Sequence, residues 1–290
     1  MKKRIKLGFT DTNEQIARFF VNNLVLRYDI EIDNNNPDYL IFGDRNFGQN
    51  NLAYDCKNCL KIFYTGENQR PWEYNCHFAL SFEHLDGPNF YRLPLYVIYD
   101  WDNQRKGIPY SKTCHRKPED IAEKTDFCSF VVRNGGCQKR NEFFSKLNKY
   151  KNVTSAGPLF NNTGYILEYG DKAMESKLAW LPKFKFNMCF ENSSWPGYTT
   201  EKLYEALVGK TIPIYWGSPT AALDFNPKAF LSWHDYGDDD KFMEAIVKLD
   251  TDDDAYREMY LQPMFAEGQE NKFMNLNNFL DWFDKNVYKE

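Results

Sequence analysis

Residues 190–219 read FENSSWPGYTTEKLYEALVGKTIPIYWGSP, and this stretch decides the fold of the second half of the chain. A polar turn containing glycine is followed by an abruptly helical run and then by a short apolar strand. Thr199 or Thr200 can cap the helix by accepting a hydrogen bond from a free backbone N–H group of the first turn. Gly209 is predicted to end the helix in the left-handed conformation. The stretch therefore predicts a turn, a helix and a strand, with the free amides of the helix N-terminus available to an anion.

Two charged residues open this helix, and one of them is unexpected there. Lys202 adds positive charge to the positive end of the helix dipole, which is unfavourable for the helix itself. That position makes sense if the site holds a diphosphate; the alternative is a solvated lysine that costs only a few tenths of a kcal/mol. Glu201 can accept hydrogen bonds from ribose or sugar hydroxyls, although an acid also suits a first turn for dipole reasons.

Alternating strand and helix signals extend over most of the chain and indicate an α/β protein. Residues 91–99 are predicted as a strand, and the polar residues 100–125 as a linker or loop, after which a second strand–helix series begins. The length of 290 residues also favours two domains. We predict two Rossmann-like domains facing a central cleft, with ligands bound at the carboxyl ends of the parallel strands. The predicted limits are 1–118 for the first domain, 119–270 for the second, and 271–290 for a C-terminal helix.

The composition is that of an ordinary globular protein and excludes several functions. Hydrophobic residues make up 42% and charged residues 27% of the chain, and the net charge is −5 with no long basic run, which argues against nucleic acid as a partner. No stretch approaches the roughly 20 apolar residues of a membrane-spanning helix. The seven cysteines are expected to be reduced thiols, because no export signal is recognised. The acidic stretches at 237–241 and 250–256 are interpreted as helix caps and solvated faces, so no metal site is predicted.

The stretch KFKFNMCFENSSWPGYTTEKLYEALVGKTIPIYWGSP closely resembles the donor-binding motif of the α1,3/4-fucosyltransferases, the family-ten glycosyltransferases. The stretches IFYTGEN and YRLPLY resemble landmarks of the acceptor domain in bacterial members of that family. The resemblance implies a GT-B fold and transfer of L-fucose from GDP-fucose, with inversion, to the 3-hydroxyl or 4-hydroxyl of GlcNAc in lactosamine-type acceptors. It implies no required cofactor, and a final helix that packs back on the first domain.

The motif match also implies roles for particular residues. Glu67 takes the place of the family's general base, and a carboxylate opposite the leaving diphosphate is what an inverting transfer needs. Lys202 and Tyr198 take the places that contact the phosphates, and Asn192 and Glu201 those that contact the donor's sugars. Without a metal, the developing negative charge of GDP would be held by Lys202 and the helix amides.

The chain departs from the family pattern at one position. Related bacterial enzymes carry an arginine that contacts the diphosphate, where this chain has Phe160. Asn161 or Asn162 is expected to bond to the nucleotide, and Arg133, at the end of a predicted strand, is the candidate substitute for the missing cation; a solvated arginine is the alternative.

Two aromatic residues that follow Glu67, Trp72 and Tyr74, are candidate rings for stacking on an acceptor sugar, with burial in the core as the alternative.

Three interpretations of function therefore stand. The first is a fucosyltransferase that acts on N-acetyllactosamine or lacto-N-biose and builds Lewis-type glycans in a bacterium. The others are a GT-B transferase that uses another nucleotide sugar, and a non-catalytic glycan-binding protein. The expected location is the cytoplasm, including the inner face of the cytoplasmic membrane.

Overall fold

The structure is a computed structural model that describes residues 2–266 and 271–288. The chain forms two compact units. One contains residues 2–98 together with residues 271–288, and the other contains residues 99–266.

The first unit is built on a six-stranded sheet in which all paired strands are parallel, in the order β2-β1-β3-β4-β5-β6. Continuous apolar runs form these strands, as expected for a sheet covered on both faces. The strands are β1 Lys3–Thr10, β2 Tyr28–Ile32, β3 Tyr39–Phe42, β4 Leu60–Tyr64, β5 Phe78–Ser81 and β6 Phe90–Arg92. The helices are α1 Glu14–Leu24, α2 Asn51–Asp55, the first turn of α3 Leu95–Lys106, and α9 Leu276–Trp282.

The C-terminal helix α9 lies in the first unit, in line with the position expected from the resemblance. Its Phe279 is fully buried, and its ring centroid lies 5.8 Å from that of Phe19 and 6.2 Å from that of Phe20, both on α1. The apolar face of α9 therefore completes the core beside α1.

The second unit is built on a five-stranded parallel sheet in the order β11-β10-β9-β7-β8. Its strands are β7 Asp126–Phe130, β8 Val153–Ser155, β9 Phe184–Met188, β10 Ile212–Tyr215 and β11 Leu231–Ser232. Its helices, besides the rest of α3, are α4 Gln138–Tyr150, α5 Ala173–Trp180, α6 Glu201–Val208, α7 Asp239–Thr251 and α8 Asp253–Tyr260. Chain order reverses between β7 and β9, so a crevice for ligands is expected at the carboxyl ends of these two strands.

The boundary between the units falls at residues 98 and 99 instead of 118 and 119. Residues 100–118 belong to the second unit because their side chains bond to it. Tyr204 donates to Asp100 at 2.9 Å, and Arg116 donates to the backbone oxygen of Thr211 at 2.6 Å.

The strand predicted over residues 91–99 is wrong beyond Arg92, and the loop predicted over residues 100–125 begins too early. Residues 95–106 form α3, in which Tyr96, Val97, Ile98 and Trp101 are all buried. An apolar run that is buried on all sides has no periodicity to distinguish a helix from a strand.

The conformation of Gly209 and the state of two cysteines differ from what the sequence predicts. Gly209 has φ −73°, and Lys210 instead adopts the left-handed φ of 58°. Gly209 is required for space, because a Cβ atom there would lie 2.9 Å from the backbone oxygen of Glu205 and 2.4 Å from Leu181 Cδ1. Cys56 and Cys59 form a disulfide and are not reduced thiols.

In the part of the chain that the structure describes, no helix is long and apolar enough to cross a membrane.

Candidate active site

The candidate donor site lies at the crevice between β7 and β9, where residues 189–200 connect β9 to α6. Gly197, with φ +81°, forms the turn in this connection. Its amide donates to Ser218 Oγ at 2.9 Å and to Thr220 Oγ1 at 2.8 Å, in the loop that follows β10. The connection is therefore fixed at the carboxyl edge of the sheet.

Helix α6 begins at Glu201, and Thr200 is its N-cap, which resolves the choice between the two threonines. Thr200 Oγ1 accepts from the backbone amide of Lys202. The ammonium of Lys202 lies 3.1 Å from Thr200 Oγ1, 3.1 Å from Glu201 Oε1 and 3.3 Å from Glu191 Oε2. Burial alone would lower the pKa of Lys202, but the carboxylates of Glu201 and Glu191 raise it well above its ordinary value. Lys202 therefore stays charged at the helix N-terminus.

Glu191 is the residue that the sequence interpretation missed at this site. Its side chain has no exposed surface, and it accepts hydrogen bonds from Thr200 N at 2.8 Å and from Thr200 Oγ1 at 2.6 Å. Burial raises its pKa, although the charge of Lys202 opposes that shift. Glu191 thus contacts both the N-cap residue Thr200 and the ammonium of Lys202.

A second ion pair extends this buried network. Lys177 on α5 pairs with Glu205 on α6, and both side chains are largely buried. Burial raises the pKa of Glu205. Burial also acts to raise the pKa of Glu201, but Lys202 and Lys177 together lower it. Lys177, Lys202 and the three glutamates that they contact therefore form one buried network of charges around the start of α6.

Asn192 and Tyr198 lie in the same connection but differ in exposure. Asn192 is partly exposed, and its Oδ1 accepts from Arg140 Nη1 at 2.8 Å. Tyr198 has only 1% of its surface exposed. The contact of Tyr198 with a phosphate therefore stays a prediction, because the structure does not present the ring at the surface.

Arg133 and Phe160 both lie beyond the carboxyl ends of strands, after β7 and β8. Arg133 is exposed, and its Cζ lies 3.9 Å from the centroid of the Tyr169 ring. Phe160 has φ 54°, and its ring stacks on Phe144 at a centroid distance of 4.7 Å. The side chain of Phe160 thus makes an apolar contact with Phe144, and the guanidinium of Arg133 packs on the ring of Tyr169.

The bond from Asn162 to the nucleotide stays a prediction, and in the structure both ends of the Asn162 amide bond within the protein. Its Oδ1 accepts from Ser155 N at 2.8 Å and its Nδ2 donates to Val153 O at 2.9 Å. Asn161 Nδ2 likewise donates to Gly157 O at 3.0 Å and to Tyr165 O at 2.7 Å. These side chains shape the loop after β8.

Glu67 lies just after the carboxyl end of β4 in the first unit, as predicted, and is partly exposed. Its backbone amide donates to Thr65 Oγ1 at 3.0 Å, and that hydroxyl donates to the buried carboxylate of Asp44 at 2.7 Å. Next to it, a Cβ atom on Gly66 would lie 3.0 Å from Leu95 Cδ1. The loop that carries Glu67 is therefore tightly held.

The two aromatic residues after Glu67 have different environments. Trp72 is 61% exposed and lines a cavity of about 430 Å³ together with polar residues that include His77, Asp86 and Asn89. Tyr74 is only 5% exposed, and its ring stacks on Phe63 at a centroid distance of 4.1 Å. The stacking role predicted for Tyr74 is therefore wrong, since core packing covers its ring.

Among the residues that the structure describes, no three His, Cys, Asp or Glu side chains are grouped to hold a metal ion.

The two α/β units, each built on a parallel sheet, have the architecture of the GT-B class. The family profile described as glycosyltransferase family 10 (fucosyltransferase) C-term matches residues 121–265, and the alpha-(1,3)-fucosyltransferase FucT N-terminal domain matches residues 6–99. The chain belongs to glycosyltransferase family 10.

Similar proteins of known sequence or structure agree with this assignment. Alpha-(1,3)-fucosyltransferase FucT of Helicobacter pylori is 32% identical over 282 residues, which is 87% of this chain and 57% of that protein. This chain therefore spans less than two thirds of that relative. The crystal structure of an α1,3-fucosyltransferase with GDP-fucose matches 100% of this chain and 92% of its own, with a TM-score of 0.80 and 28% identity. The structure of an α1,3-fucosyltransferase with GDP gives the same values. The GT-B fold predicted from the sequence is thereby confirmed.

Proposed function

We propose that the chain is an inverting α1,3-fucosyltransferase that moves L-fucose from GDP-fucose to the 3-hydroxyl of GlcNAc in a lactosamine-type acceptor. The observation that carries the proposal is the charged Lys202 ammonium at the N-terminus of α6, beside Asn192 in a family 10 donor motif. A helix N-terminus with a fixed cation suits a diphosphate and stabilises its charge as the bond to the sugar breaks.

The proposed mechanism uses one proton transfer and one bond exchange. The carboxylate of Glu67 takes the proton of the acceptor 3-hydroxyl as that oxygen attacks C1 of fucose from the face opposite the diphosphate. The C1–oxygen bond to GDP breaks, and GDP leaves with the bonding electron pair. Lys202 and the first amides of α6 hold the added charge, so the reaction is proposed to need no metal ion.

The acceptor is proposed to extend over the cavity of the first unit. Exposed Trp72 offers a flat apolar face to a hexose ring, and Asp86 and Asn89 offer acceptors and a donor to its hydroxyls.

The test is product analysis with the full chain. GDP-fucose, GDP-mannose and UDP-galactose are each incubated with N-acetyllactosamine and lacto-N-biose offered together, in the presence of a chelator, and products are identified by mass and linkage. A fucosylated product formed from GDP-fucose alone supports the proposal. Transfer from another donor would mean that the chain transfers the sugar of that donor and not fucose. Acceptor binding without transfer from any donor would indicate a glycan-binding protein.

A further inference from the structure

A buried arginine connects the two loops at the switch point of the second sheet. Arg140, on the first turn of α4, has no exposed surface. Its Nη1 donates to the backbone oxygens of Phe190 at 3.2 Å and Glu191 at 3.3 Å, and to Asn192 Oδ1 at 2.8 Å. Its Nη2 donates to the backbone oxygen of Asn134, in the loop after β7. One side chain therefore joins the loop after β7 to the loop after β9.

The guanidinium has an unusual electrostatic environment for a buried charge. In residues 2–266 and 271–288 it has no carboxylate at ion-pair distance, and its Nε is buried without a hydrogen-bond partner. Burial lowers its pKa, and Glu191, the one carboxylate that acts to raise it, is itself bonded to Thr200 and Lys202. A charge kept in such a place without an ion-pair partner costs stability, so its retention calls for another reason.

The contact with Asn192 supplies that reason. An arginine can only donate hydrogen bonds, so it fixes the oxygen of the Asn192 amide towards α4. The amide nitrogen of this partly exposed side chain is then the end that remains to donate to an oxygen of a ligand. A free asparagine would turn its amide between two orientations, and only one of them would donate.

We propose that Arg140 is a positioning residue of the donor site, which orients the Asn192 amide so that its nitrogen donates to an oxygen of the bound nucleotide sugar. This inference rests on the proposed function, because it takes the ligand to be GDP-fucose. It assigns to Arg140 an indirect part in recognition, through the Asn192 amide.

The first test changes Asn192 and leaves Arg140 intact. In Asn192→Asp, the carboxylate forms an ion pair with Arg140 and turns its other oxygen, an acceptor with negative charge, to the ligand. The expected result is a melting temperature equal to or above that of the wild type, with GDP affinity lower than in Asn192→Ala. A melting temperature below that of Asn192→Ala would overturn the inference, because Arg140 would then not bond at position 192.

The second test is a double-mutant cycle measured by calorimetric titration with GDP. We expect Asn192→Ala and Arg140→Lys each to weaken GDP binding about tenfold, which corresponds to one hydrogen bond. The double variant should be no weaker than the weaker of the two single variants, because both remove the same contact. Losses that multiply would show that the two side chains act independently on GDP binding, and would overturn the inference.

The inference and the proposed function fail in different ways. If the wild type binds GDP and transfers fucose, but Asn192→Ala binds GDP as tightly, only the positioning role is lost. If the wild type does not bind GDP, the donor assignment fails, and the positioning role fails with it.

Discussion

The ammonium of Lys202 lies 3.3 Å from Oε2 of Glu191, a carboxylate with no exposed surface. The lysine opposes the dipole of α6, and the glutamate would be costly to bury alone. Each charge compensates the other, and Thr200 bonds to both side chains. The unfavourable position of the lysine is thereby offset within the protein, and a cation is fixed where the anionic part of a nucleotide sugar is proposed to bind.

Replacement of Lys202 by methionine should weaken GDP binding about 10- to 100-fold, the range expected for loss of one charge-assisted hydrogen bond. Guanosine binding should weaken less than GDP binding, because guanosine has no phosphate to meet the ammonium, while the melting temperature should fall because Glu191 loses its partner. Both affinities are measured by calorimetric titration. Lys248→Met, which removes an exposed lysine on α7, is the matched control and should leave both affinities unchanged. An equal loss of guanosine and GDP binding would contradict a phosphate-specific role for Lys202.

Glu67→Gln should lower kcat of fucose transfer by about 10²- to 10⁴-fold, because an amide cannot take the proton of the acceptor hydroxyl. GDP affinity should stay within twofold of the wild type, since the proposed base does not hold the nucleotide. Initial rates and calorimetric titration measure the two quantities.

Glu73→Gln is the matched control for the Glu67 variant, because Glu73 is an exposed glutamate six positions further along the same segment. It should keep both the rate and the affinity. If Glu67→Gln retained a rate close to that of this control, another group would have to act as the base.

The sequence predicts the local features of the donor site well, because they depend on neighbours in the chain. Thr200, Glu201 and Lys202 begin a helix directly after a polar turn, and capping preferences are enough to place that helix. The partners across the site are not predictable in this way. Arg140 bonds to Asn192, which is 52 positions away, and no periodicity relates the two residues.

The incorrect predictions also arise from contacts between residues that are distant in the sequence. Tyr74 carries a hydroxyl and follows Glu67 closely, which suggests a surface ring, yet Phe63 from β4 covers it. Residues 95–98 are apolar without alternation, and only their neighbours in the fold decide that they form a helix. Burial that involves distant elements can overrule the preference of a short segment.

Phe279→Ala should destabilise the first unit by about 3–5 kcal/mol, the usual cost of removing a buried aromatic ring. Phe279 is fully buried, and its ring centroid lies 5.6 Å from that of Tyr91 on β6 as well as close to two phenylalanines of α1. Urea unfolding gives the free energy. Asn277→Ala, an exposed change on the same helix, should cost less than about 1 kcal/mol. Equal small effects of the two variants would mean that α9 does not contribute to the core of this unit.

Asp250, at the end of α7, ties three other residues of the second unit to that helix. Its Oδ1 accepts from Lys185 Nζ at 2.9 Å, and its Oδ2 accepts from Lys151 Nζ at 3.0 Å and Tyr150 Oη at 2.9 Å. Burial would raise the pKa of Asp250, but hydrogen bonds from these three groups lower it below its ordinary value of 3.8. A carboxyl group with a lowered pKa in the folded state stabilises the protein above its ordinary pKa, and that contribution is lost as the pH falls through the folded-state value.

Asp250→Asn should therefore cost about 2 kcal/mol near pH 7, because the amide keeps the shape but loses the charge that two ammonium groups contact. The difference in unfolding free energy between wild type and variant should persist down to the ordinary pKa of 3.8 and narrow at lower pH, as the wild-type carboxylate also becomes neutral. Urea unfolding at a series of pH values measures this difference. Glu258→Gln, an exposed change on α8, should cost little at every pH. A difference for Asp250→Asn that grew as the pH fell would have the wrong sign for a carboxylate stabilised by Lys185 and Lys151, and would contradict this account of the network.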